Sequence, residues 1–165
     1  MGGSAEDSEA AAGLGRAEVE RYLHEHIPIS SAMGVRVVSC DAAGVKLAAP
    51  LAANINHRAT VFGGSASAVA ILAAWTYLHS VLRGSGMSTR LVIQRNTIDY
   101  LAPITADFEA ECLAVTAEEF ARVAKMLRRH GKARITLTAQ LTCAGTKVAA
   151  FSGEYVAVRL APMGN

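Results

Sequence analysis

The stretch Phe62-Gly63-Gly64-Ser65-Ala66-Ser67, with the apolar run over residues 68–82 behind it, decides how this chain is read. Val69, Ile71, Leu72, Trp75, Leu78 and Val81 place apolar groups on nearly every helical face. A helix that is apolar all round is buried, in a protein core or in a membrane. Ser65, Ser67, Thr76, His79 and Ser80 interrupt the run, Arg83 closes it, and Gly84-Ser85-Gly86 stops it. A spanning helix needs about 20 predominantly apolar residues, so the stretch is read as a core helix and no membrane partner is expected. The Gly, Ser and Ala of its first turn let another backbone or a ligand come close.

Outward from this helix the chain alternates. Residues 17–26 form a short helix with Val19, Tyr22 and Leu23 on one face, stopped by Pro28; His24 and His26 read as surface residues. Residues 30–34 read as a turn. Strands follow at 35–38 and 45–47 around Asp41-Ala42-Ala43-Gly44, a hairpin signature. The loop 50–60 feeds the central helix. Beyond it come strands at 91–101 and 107–115, and a helix at 118–129 opened by the capping pattern Thr116-Ala117-Glu118-Glu119. In the strand 135–143, Ile135, Leu137, Ala139, Leu141 and Cys143 alternate with polar residues, so one face is buried. A final strand covers 147–160. Hairpin-connected strands with helices to one side make an α+β domain, predicted as a six-stranded antiparallel sheet wrapped around the long helix over residues 16–160. Residues 1–15, poor in large apolar groups, read as a disordered tail.

Composition sets the limits. The chain has 165 residues, 52% of them hydrophobic and 18% charged, which suits one domain with part of its surface buried in an oligomer. A net charge of +2 gives no reason to expect nucleic acid. Cys40, Cys112 and Cys143 are odd in number and without metal-ligand spacing, so neither a disulfide framework nor a metal site is expected. The N-terminus lacks a basic region followed by an apolar core, and a cytoplasmic location is expected.

Ala32-Met33-Gly34-Val35, Ala49-Pro50-Leu51, Asn54-Ile55-Asn56-His57-Arg58, Phe62-Gly63-Gly64-Ser65 and Tyr100-Leu101-Ala102-Pro103-Ile104 occur in an order and spacing that resembles the hotdog-fold thioesterases. More narrowly, the chain resembles the thioesterase domain of the YiiD C-terminal type. That resemblance implies a hotdog fold and a homodimer, or a dimer of dimers, with sheets joined edge to edge and the site at the subunit interface. It also implies an acyl-CoA or acyl carrier protein thioester as ligand, with CoA or phosphopantetheine as part of the substrate and no separate cofactor. A non-catalytic module that binds an acyl group or acyl carrier protein, and an accessory enzyme of fatty-acid synthesis, are the alternatives.

Thioester hydrolysis needs donors for the developing oxyanion, a positioned nucleophile and an activating group. Free N–H groups and the positive dipole end at the start of the central helix supply the first: the Gly64 amide, with Gly63 or Ser65 beside it. The bland reading of the glycines is close packing of helix on sheet. Asn56, by its match to relatives, inherits the role of orienting the thioester or the water; on its own chemistry it makes an Asx turn. Those relatives carry His where this chain has Phe62, and a helix carboxylate where it has Ile71. From Ser65 to Leu82 there is no Asp or Glu. His57 is the candidate general base, since imidazole titrates near neutrality, though a loop His more often only bonds its surroundings. Ser65 or Ser67 could hold a water, Phe62, Gly63 and Ser67 face the substrate, and Asp99 reads as solvated because Ile98 points inward. Arg122, Lys125 and Arg129 belong to a basic run that is either a solvated face or a contact for phosphates or an acidic carrier.

Overall fold

The computed structural model describes residues 15–161; the tail expected over residues 1–15 lies outside it except for Gly15. In chain order the elements are α1 (Arg16–His26), α2 (Pro28–Ala32), β1 (Arg36–Asp41), β2 (Gly44–Ala49), α3 (Gly63–Gly84), β3 (Thr89–Tyr100), β4 (Phe108–Leu113), α4 (Ala117–His130), β5 (Lys132–Cys143) and β6 (Thr146–Arg159). The six strands form one sheet in the order β1-β2-β4-β5-β6-β3, with every neighbouring pair antiparallel. The stretch read as a turn around residues 30–34 begins as a helical turn: Pro28 opens α2, where its missing N–H costs nothing, and Gly34 at φ 67° turns the chain out of it.

The sheet curls around α3. Ala66, Ala70, Ala73 and Ala74 are each fully buried (0% exposed), and their methyl groups let the sheet lie close to the helix axis. Leu47, Phe108, Leu137 and Leu141 reach the same core from the strands. Burying a side chain of this size contributes about 1.5–3 kcal/mol, so the alternation of β5 is worth more than local strand propensity. The two buried tyrosines bond to backbone: the Tyr155 hydroxyl donates to the Ile71 carbonyl (2.7 Å), and the Tyr77 hydroxyl accepts from the Val115 N–H (3.0 Å). Cys112 and Cys143 are buried and Cys40 half-buried, all free; burial pushes the Cys112 thiol up to about 12, leaving it an inert hydrophobe.

By length and composition α3 could cross a membrane, but here its apolar faces are taken up by sheet and loops. The two sheet edges differ. β1 is backed by α1, whose Glu20 carboxylate accepts from the Val37 N–H (2.8 Å). β3, twelve residues long, pairs with β6 on one side only, with an irregularity between Ile93 and Arg95. Ile98 packs against the core and Asp99 is exposed, as expected.

Candidate active site at the first turn of the central helix

Loop 50–62 delivers the chain to α3, and two asparagines build it. Asn54 is buried, its side-chain N–H groups donating to the Met33 and Pro50 carbonyls (2.9 and 2.8 Å), while its backbone carbonyl accepts from the Phe62 N–H (2.7 Å). Asn56 accepts from the Arg58 and Thr60 N–H groups (2.8 and 3.2 Å) and donates to the Thr60 hydroxyl (2.9 Å). Of its two readings, the Asx turn is therefore the one with partners in place. His57, one residue on, is exposed and makes no hydrogen bond among the described residues.

Phe62 is the N-cap of α3 and has no side-chain oxygen to give. Its carbonyl accepts from the Ser65 and Ala66 N–H groups (2.9 and 3.1 Å). The Gly63 and Gly64 amides, by contrast, meet no protein acceptor among the described residues. The expected pair of donors is thereby narrowed: the Ser65 amide is engaged, and Gly63 and Gly64 are the two left for a ligand. Both glycines also serve close packing. A Cβ on Gly64 would lie 2.3 Å from the Phe62 ring, and one on Gly63 would lie 3.3 Å from the Tyr100 hydroxyl. That hydroxyl, from the end of β3, donates to the Gly63 carbonyl (2.6 Å) and fixes the plane of the peptide that carries the Gly64 N–H.

Beside this turn lies a cavity of about 390 Å³, lined by Thr60, Val61, Ala66 and residues 100–104. Leu101 and Tyr100 on its wall are 59% and 51% exposed, and Phe62, on the adjoining turn, is 59% exposed. The Ser65 and Ser67 side chains are half-buried on the same turn. No carboxylate stands on α3, and Ile71 is half-buried against the core with its carbonyl held by Tyr155.

Sequence reasoning passed over the other half of α3. His26, Tyr22, His79 and Trp75 form a four-ring stack with centroid spacings of 4.1, 4.9 and 4.7 Å. The His79 Nε2 is sealed from solvent and has no hydrogen-bond partner among the described residues. Burial, then Arg83 and His26, lower its pKa, so the ring is held neutral. His26 lies on the surface as expected while joining the stack, and His24 is half-buried, its Nε2 2.8 Å from the Val35 carbonyl. The basic run divides as well. Arg122 lines a groove between α4 and β5, whereas Lys125 and Arg129 are exposed on the helix outside it.

A curled six-stranded antiparallel sheet around one long helix, entered through a Gly-Gly turn, defines a hotdog-fold protein. The family described as "Putative thioesterase (yiiD_Cterm)" matches residues 16–159, and the chain belongs to that family. Among solved structures, a protein of unknown function from Chlorobaculum tepidum is similar at 28% identity and TM-score 0.84, covering 88% of this chain and 94% of that one. One described as a "putative thioesterase", from Shewanella oneidensis, is similar at 29% identity and TM-score 0.78, covering 87% and 96%. A thioesterase from Haemophilus influenzae shares the fold at 8% identity, TM-score 0.74, over 94% and 98% of the two chains.

Proposed function

We propose that the protein hydrolyses acyl thioesters of CoA or of a carrier protein, in a site completed at the interface of a homodimer. The observation that carries this reading is the pair of unbonded amides at Gly63 and Gly64, at the positive end of a 22-residue helix and beside the cavity. The thioester carbonyl oxygen lies at the two amides and the acyl chain runs over Phe62, Leu101 and Tyr100. Water attacks the carbonyl carbon, its proton going to a base, and the carbonyl electron pair moves onto the oxygen held by the amides. Collapse expels the thiolate, which takes the proton back. His57 is the base this chain offers on the same loop, and Asn56 holds that loop in shape. The exposed long edge of β3 supports edge-to-edge pairing with a second copy, since a flat, unpaired edge of that length is otherwise a liability.

A second reading keeps the acyl group or carrier protein bound without cleavage. Ile71, half-buried against the core where relatives place a carboxylate, is what favours it.

Free-thiol release from a panel of acyl-CoA and acyl-carrier thioesters separates the two, with Gly63→Pro beside the wild-type protein. Proline is tolerated at the first helical position and deletes the N–H there. Turnover that drops about 100- to 1000-fold in a variant that still folds, the effect of losing one oxyanion donor, supports hydrolysis at this turn. Binding of the acyl thioester with no thiol released by either protein would leave the second reading.

A further inference from the structure

Between Phe120 and Leu141 the chain carries Arg122, Lys125, Arg128, Arg129, Lys132 and Arg134 and not one Asp or Glu. The ion pairs among the described residues belong to Lys46, with Glu109 and Glu111, so no described carboxylate lies within 4.0 Å of the six cations, although Glu119, three residues before Arg122, feels its charge at longer range. α4 and the start of β5 enclose a groove of about 520 Å³, lined by Arg122, Val123, Met126, Lys132, Ala133 and Arg134. Val123 and Ala133 are buried at its floor, and Met126, 42% exposed, lies along it. The Thr116–Glu119 capping box fixes the start of α4, Gly131 at φ 70° fixes its end, and the Arg159 N–H donates to the Gly131 carbonyl (2.8 Å). The positive field runs on across the sheet: Val158 is the register partner of both Lys132 and Arg90, which puts all three on one face.

We propose that this groove, at the Arg90 end of β3 and not the Tyr100 end that holds the Gly63–Gly64 turn, receives an acidic amphipathic helix of the carrier protein, which presents the thioester to the site of a second copy paired along β3. The exposed Met126 among the cations selects that occupant. A CoA nucleotide or a nucleic acid would satisfy the charges but leave Met126 without a use, and no aromatic side chain lines the groove to stack a base. An acidic helix matches both features, with its carboxylates on Arg122, Lys132 and Arg134 and one apolar side chain on Met126. The inference rests on the thioesterase reading for its choice of partner, and it selects the carrier-bound over the CoA-bound substrate.

The test uses the full chain and the double variant Arg122→Glu/Arg134→Glu, with Arg122→Gln/Arg134→Gln as the neutral pair. Probes are a bacterial acyl carrier protein bearing an octanoyl thioester, and octanoyl-N-acetylcysteamine, which has no protein to dock. Turnover of the carrier substrate falls at least about tenfold on charge reversal, through KM, and less in the neutral pair; the small thioester is turned over unchanged. The wild-type preference for the carrier weakens at high salt. Unchanged carrier kinetics, or an equal loss on both substrates in both variants, would overturn the groove. Binding of the octanoyl carrier protein, followed by fluorescence anisotropy, keeps the two proposals apart. Carrier binding lost on reversal supports the groove even where no thioester is cleaved. No carrier binding by the wild-type protein overturns it even where acyl-CoA is hydrolysed.

Discussion

At its first turn α3 presents two unbonded amides and no ionisable side chain, whereas its other half carries His79, stacked between Trp75 and Tyr22, with Arg83 one turn on. Titratable groups usually mark the chemistry of a site. In this helix they mark packing. His79 fills a slot between two rings with one nitrogen sealed and, among the described residues, unpartnered, and a ring held neutral there costs less than a charged one. The glycine end gathers its electrostatics from the backbone, through peptide dipoles that need no side chain and no protonation.

Four measurements break or sharpen this contrast. The largest effect is expected from comparing Gly63→Pro with His79→Phe: turnover falls about 100- to 1000-fold in the first and stays within about twofold in the second. A His79→Phe protein that lost activity like Gly63→Pro would move the chemistry to the other end of the helix. His57→Ala comes next, lowering turnover by about 100-fold as general-base removal does; an unchanged rate takes His57 out of the mechanism.

The third measurement is a pH series of thermal unfolding. His79 has its pKa lowered by the fold, so the unfolded chain takes up a proton that the folded one refuses. Stability is then full above the unfolded value of about 6.5 and declines as pH falls from there toward the folded value. His79→Phe should flatten that acid-side decline while keeping the stack; a slope unchanged by the substitution would assign it to other groups. The smallest effect belongs to Tyr155→Phe, which deletes the hydroxyl bonded to the Ile71 carbonyl. Losing such a bond costs about 1 kcal/mol, or about 2–4 °C in Tm for a domain of this size.

The fold was legible because its two decisive segments are periodic in the simplest ways. Residues 68–82 are apolar on all sides, and residues 135–143 alternate strictly, so helix, strand and their mutual burial followed from side-chain pattern alone. The Gly63-Gly64 turn was legible too, as a place where a backbone is left uncovered. Three things were not. The ring stack joins residues 22, 26, 75 and 79, side chains of two helices that are distant in sequence, which no local period encodes. The use of the Ser65 amide by the Phe62 carbonyl depends on a tight first turn, a matter of tenths of an ångström. The division of the basic run between groove and open helix face depends on how α4 rolls onto β5, set by packing at Val123 and Leu127 rather than by charge.

β3 has one further consequence, in the time domain of hydrogen exchange. Along an edge strand, successive backbone N–H groups point alternately to the neighbouring strand and outward. In a lone protomer, the amides of Thr89–Tyr100 should exchange in a fast–slow alternation, interrupted at the Ile93–Arg95 irregularity. If a second copy pairs along that edge, the fast members slow to match the others. Their rates then become concentration-dependent, and each outward amide reports, residue by residue, how far the shared sheet extends.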